Sequence, residues 1–199
     1  AAWAGPTITN ADRTVLGRGP KDNDGSRGWD GYIIEFALLD FDVNATERIL
    51  IENYLAAKYQ LSVSNDFYVF ETSHGNDVAG IGRSGADSHT SAFSADIIGI
   101  SSPSSLDDGD WLITGHDGGD VSTWTTSEQI NGDANVERLA REWRFDVTND
   151  PGTVTLTIDP TSLPTFNTDF GFYTLWVDDD GDFSSGATQY PLTQNGGNF

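Results

Sequence analysis

From Ser62 onward the chain keeps interrupting itself. Short runs rich in Val, Ile, Thr, Phe, Tyr and Trp are separated by clusters of Gly, Asp, Asn, Ser and Pro. A chain punctuated this often can build short antiparallel strands joined by tight turns, but not long helices or parallel crossovers. Candidate strands lie at 67–71, 78–83, 96–101, 111–115, 139–147, 153–158, 172–177 and 188–192. Alternation within 139–147 puts Leu139, Trp143, Phe145 and Val147 on a core face, with Arg141 interrupting it. Earlier, residues 32–39 are nearly continuously apolar, as expected for a strand buried on both faces. The expected class is all-β, an antiparallel β-sandwich.

One helix is expected, at about residues 44–59. Asn44 and Glu47 stand at capping-box spacing, and Leu50, Ile51, Tyr54 and Leu55 form an apolar stripe. Lys58 sits where a cation favours the helix end. With 199 residues there is enough chain for a real core.

The turns are mostly made of aspartate. The chain carries 24 Asp but 7 Glu, and a net charge of −21. Asp favours turns over helix and strand, so the excess marks loops, where Glu would have marked exposed helices. Such a charge argues against nucleic acid and anionic membrane surfaces, and it favours cation binding or life in salty water. With 0 Cys, disulfides, thiol catalysis and thiolate metal sites are excluded. No leader-like segment and no apolar run of membrane-spanning length is expected.

The densest acidic site is Trp176–Phe183, where Asp178, Asp179, Asp180 and Asp182 fall within five residues around Gly181. Two carboxylates about 5 Å apart repel by roughly 3 kcal/mol at an effective dielectric near 20. A folded loop therefore splays them into water or binds a hard cation. Asp178, Asp180 and Asp182 are the candidate Ca²⁺ ligands, with Asp22 and Asp24 as a second set. The pattern departs from an EF-hand, because Phe183 and Gln189 stand where that loop needs Gly and Glu. Asp107, Asp108 and Asp110 read equally as a calcium loop or an ordinary turn. Trp29 and Trp124, in expected loops, are the candidate sugar-stacking residues. Arg83, Arg138, Arg141 and Arg144 are expected to pair with neighbouring aspartates. His74, His89 and His116 are scattered, and no paired carboxylates, nucleophile elbow or Ser/His/Asp signature point to catalysis.

Gly31–Leu39, followed by 44–61 with Tyr54-Leu55-Ala56-Ala57-Lys58-Tyr59, resembles the final strand and closing helix of laminin-G/concanavalin A-like domains of large bacterial surface proteins. Asn76-Asp77-Val78-Ala79-Gly80-Ile81-Gly82-Arg83, then 107–116, 138–145 and 177–190, resemble the β-domain that commonly follows it in giant secreted adhesins. The resemblance implies a division into 1–62, the end of a laminin-G-like sandwich with its helix; 63–193, a β-sandwich domain; and 194–199, a linker. Only about 40 residues precede the helix, whereas a full laminin-G sandwich needs many more. The missing strands then lie upstream, come from another chain, or are unnecessary. The function implied is a non-enzymatic structural module of an extracellular, cell-surface adhesin or fibre, stiffened by Ca²⁺, whose partners are neighbouring modules or identical subunits. The alternatives are a filament subunit completed by strand donation, and a lectin-like domain binding surface glycans.

Overall fold

The computed structural model describes residues 31–163, 173–193 and 198–199. The chain divides into two compact units, Ala1–Asp42 and Val43–Phe199. Of the first, residues 31–42 are described. The second holds α1 (Ala45–Tyr59), α2 (Glu71–His74), β1 (Asn76–Ser84), β2 (Asp87–His89), β3 (Ser91–Ser94), β4 (Ile98–Ser101), β5 (Trp111–His116), β6 (Trp124–Thr125), β7 (Arg138–Leu139), β8 (Trp143–Thr148), β9 (Thr155–Ile158), β10 (Thr174–Val177) and β11 (Thr188–Pro191).

The second unit is an all-β antiparallel sandwich with one long helix laid on it. One sheet has the order β2-β1-β5-β8 and the other β3-β4-β9, with β6-β7 and β10-β11 as two-stranded ribbons. Ile81 and Leu112 on the first sheet meet Ile100, Ala92 and Leu156 of the second, with Val154 just ahead of β9. Strand alternation sends Val78 and Ile113 to the opposite face, where they pack on Ala57, Tyr68, Leu50, Phe67 and Phe70. All six residues of β5 are buried, since both of its faces are covered.

The capping box forms as expected. Glu47 N–H donates to Asn44 Oδ1 at 2.9 Å, and Asn44 N–H donates to the Glu47 carboxylate at 2.9 Å. The buried face of α1 differs from the expected stripe. Thr46, Ile49, Asn53, Ala56 and Ala57 are buried, whereas Ile51 is exposed and Leu50, Tyr54 and Leu55 flank the contact. Small residues dominate that face where α1 packs on β1. A Cβ on Gly82 would collide with the Trp111 ring. Asn53 makes its buried position tolerable by satisfying every group it brings. Its Nδ2 donates to Ile49 O (2.9 Å) and Asn65 O (2.7 Å), and its Oδ1 accepts from Phe67 N–H (2.8 Å).

Several expectations are corrected. Residues 32–39 form no strand among the described residues, and Tyr32, Ile34 and Leu38 are exposed. The doubly buried strand is instead β5, whose Thr114, Gly115 and His116 disguise it. The expected strand at 67–71 is a loop running into α2, with Phe67 stacked on Trp111 at 4.7 Å. The expected strand at 139–147 breaks at Ala140–Glu142 into β7 and β8, and its facing is reversed. Phe145 and Val147 are exposed, while Arg144 and Asp146 turn toward the 67–74 segment. There Arg144 lies 4.7 Å from the Phe70 ring centroid, and Asp146 Oδ2 accepts from Val69 N–H (2.9 Å). A hydrogen-bonding cover of loop backbone selects the polar side of the strand. Trp124, expected in a loop, is half-buried on β6 opposite Leu139.

Candidate functional site

The acidic segment caps the β10–β11 hairpin, where Trp176 pairs with Gln189 and Val177 with Thr188. Its aspartates fold their own loop. Asp178 Oδ1 accepts from the N–H groups of Asp180 and Gly181, both at 2.8 Å; Asp180 Oδ1 accepts from Asp182 N–H at 2.9 Å; Asp182 Oδ1 accepts from Ser184 N–H at 3.0 Å. Gly181 supplies the positive φ (+87°) that the reversal needs. Hydrogen bonding with the Asp180 side chain, then with backbone N–H groups, holds Asp178 below the usual carboxylate range. Among the described residues, no three His, Asp or Glu side chains form a group able to hold a metal ion. Asp22, Asp24 and Trp29 lie outside the described residues.

The same chemistry recurs along the chain. Asp117, Asp120, Asp133, Asp150 and Asp159 each accept from the N–H two residues on. With the three in the hairpin, eight aspartates among the described residues close such Asx turns, a use that favours Asp over Glu, whose longer side chain closes them poorly. In the 107–110 segment, Asp110 Oδ2 accepts from Asp107 N–H (2.7 Å), and Asp108 Oδ1 from Gly85 N–H (2.6 Å). That segment is a loop wrapped on Arg83, whose guanidinium donates to Gly85 O and Leu106 O. Arg138 pairs with Glu128 and Glu142 at 2.6 and 2.7 Å. Arg83, Arg141 and Arg144 depart from the expected carboxylate pairing: they donate to carbonyls, Arg141 to that of Gly119 and Arg144 to that of Asp179.

A polar cleft of about 570 Å³ lies where the end of α1, α2, the start of β1 and the end of β5 converge. Its floor is a bulge, because Asn76 pairs with His116 and Ala79 with Thr114, leaving one extra residue on β1. Asp77 sits in the bulge at φ 46° and accepts from His116 Nε2 at 2.9 Å. Gly118 N–H donates to His116 Nδ1 at 3.0 Å, which leaves the ring proton on Nε2. Both nitrogens of this buried imidazole are thus committed, and it holds no lone pair for general-base or ligand duty. His74 lies close enough to feel His116 and Asp117. Burial, above all, lowers its pKa from the ordinary histidine value, with Asp117 opposing and Arg144 and His116 assisting. His89 stands elsewhere, 3.8 Å from the Glu47 carboxylate at the start of α1.

The family described as a domain of unknown function, DUF8202, matches residues 47–199. The chain belongs to this family. No curated protein and no solved structure gives a significant match. The DUF8202 match begins inside α1 and takes in every strand described above, so the helix falls within the family's span. The division of the chain after Asp42 likewise keeps the helix with the sheets it packs on. Sequence reasoning missed the Asp77–His116 contact, the Asn53 clamp and the cleft. The Asn76-Asp77 pair ahead of an apolar strand was the visible signal for a turn-like start to β1. Nothing in the sequence pointed to a partner 39 residues away.

Proposed function

We propose that this DUF8202 domain is a non-enzymatic structural module of an extracellular, cell-surface bacterial adhesin or fibre. Its acidic loops are pre-folded by Asx turns and stiffened further by Ca²⁺ at the hairpin aspartates Asp178, Asp180 and Asp182. The observation that carries this reading is the use made of the charged side chains. Among the described residues eight aspartates close their own turns, and the guanidiniums of Arg83, Arg141 and Arg144 tie loops to carbonyls. Polar chemistry spent on fixing loop geometry suits a part that must keep its shape between neighbours. The resemblance to adhesin β-domains supports the setting. The test is single-molecule unfolding of the chain between reference domains, with Ca²⁺ or with chelator. One cooperative force peak, raised by Ca²⁺, is expected; extension without a resolvable peak in either condition overturns the reading.

A second reading, a filament subunit that assembles by strand donation, is favoured by one observation. Residues 32–39 present Tyr32, Ile34, Phe36 and Leu38 to solvent, and an exposed β-prone apolar segment is an association hazard. Light scattering separates the two: concentration-dependent oligomers that vanish when residues 1–42 are removed support donation, and a strict monomer at high concentration rejects it.

A further inference from the structure

We infer that the cleft between α1, α2, β1 and β5 is a binding site for a neutral saccharide, an assignment independent of the structural role proposed above. Its volume, about 570 Å³, falls within the roughly 300–1,000 Å³ of small-ligand sites. The lining is the reverse of an apolar pocket: Lys58 and Arg141 face Glu71, Asp77 and Asp117, among amide and hydroxyl side chains. On a chain of net charge −21, this is a place where cations and carboxylates nearly balance. Near-balance disfavours an ion of either sign and suits a ligand whose groups donate and accept at once, which describes a sugar hydroxyl.

The unused hydrogen-bonding capacity has the same mixed character. Asn76 spends its Nδ2 on His116 O and keeps its Oδ1; Gln60 spends its Nε2 on Ala57 O and Glu71 O and keeps its Oε1. Asp117 uses one oxygen for the N–H groups of Gly119 and Glu142 and keeps the other. Arg141 is anchored through Nε to Gly119 O and lies 5.9 Å from the Trp143 ring centroid, which leaves its two terminal nitrogens as a planar fork of donors. These groups are held in place. Asp77 is fixed in its left-handed conformation by His116, and the Trp143 ring packs edge-on to that imidazole at 5.9 Å. Strained backbone persists only where its surroundings over-determine it, and a bulge re-aims the residues beside it.

The experiment is saturation-transfer NMR with glucose, galactose, mannose, N-acetylglucosamine and their β-linked di- and trisaccharides, with glucuronic acid as the charged comparison. Tryptophan fluorescence reads Trp143 in parallel, and the chain is used at full length. At least one neutral sugar should bind, oligomers more tightly than monomers. Arg141→Ala should weaken that binding about tenfold or more, the worth of a lost charge-assisted hydrogen bond. Arg141→Lys, which keeps the stem over Trp143, should show the same loss and carries the test if the alanine variant melts early. The assignment falls if no sugar gives saturation transfer up to about 10 mM. It falls equally if glucuronic acid out-binds glucose, or if both Arg141 variants bind as the parent does.

Discussion

At the scale of single residues, two side chains make sharp claims. Asn53 is 1 % exposed, with all three of its hydrogen bonds made to backbone groups. Asn53→Ala strands the Phe67 N–H and the Asn65 carbonyl, and should cost about 2–3 kcal/mol in chemical denaturation. Asn53→Leu should be no better, because added apolar area does not satisfy those groups. His74 speaks through pH. Its folded pKa lies below its unfolded value near 6.5, so the neutral ring favours the fold. That contribution is complete above about pH 6.5 and is lost as pH falls from there through the folded value. Stability measured between pH 7 and pH 5 should therefore decline, and His74→Gln should flatten the slope over that window. An unchanged slope would assign the decline to other groups.

The elements show which signals in a sequence survive folding. The capping box of α1 was legible because it is a local, four-residue device, and Asn44→Ala should cost about 1 kcal/mol while Asn44→Asp should cost little. Strands β1, β4, β5, β9, β10 and β11 were legible from β-prone runs bounded by turn residues. Which face each element buries was less legible, since burial depends on what lies opposite. Phe145 and Val147 face outward because β8 turns Arg144 and Asp146 toward the 67–74 loop, a segment about 75 residues earlier. The α1 stripe was misjudged for the same reason. Ala56 and Ala57 carry little hydrophobic signal, yet both are buried, and Ala57 packs with Tyr68, Val78 and Ile113. Gly82→Ala tests the packing of β5 on β1: the methyl would meet the buried ring of Trp111, its partner across the ladder, and the variant should lose about 1–3 kcal/mol. The hairpin acids were visible in sequence, but their use as turn-closers was not, because the same spacing reads as ligands for an ion.

Across the whole molecule, a net charge of −21 has to coexist with a compact β fold. Placing aspartates where N–H and O–H groups meet them lowers the cost of that charge: Asp120 is held below the usual carboxylate range first by the Ser122 N–H, Asp159 by the Thr161 hydroxyl and then its N–H, and Asp178 by the Asp180 side chain and then backbone N–H groups. Folded values below unfolded ones mean stabilisation that is present above about pH 4 and lost as pH falls further. Thermal unfolding at near-neutral pH separates turn closure from ion binding, using the parent chain, a triple Asp→Asn variant at 178, 180 and 182, and the matching triple Asp→Ala variant, each with Ca²⁺ and with chelator. Asparagine closes an Asx turn as aspartate does but is a poor ligand for a hard cation. The account predicts that chelation lowers the parent's melting temperature by several degrees, that the asparagine variant melts near the chelated parent whether or not Ca²⁺ is present, and that the alanine variant melts lower still. Asparagine and alanine variants that melt together, well below the chelated parent, would contradict it.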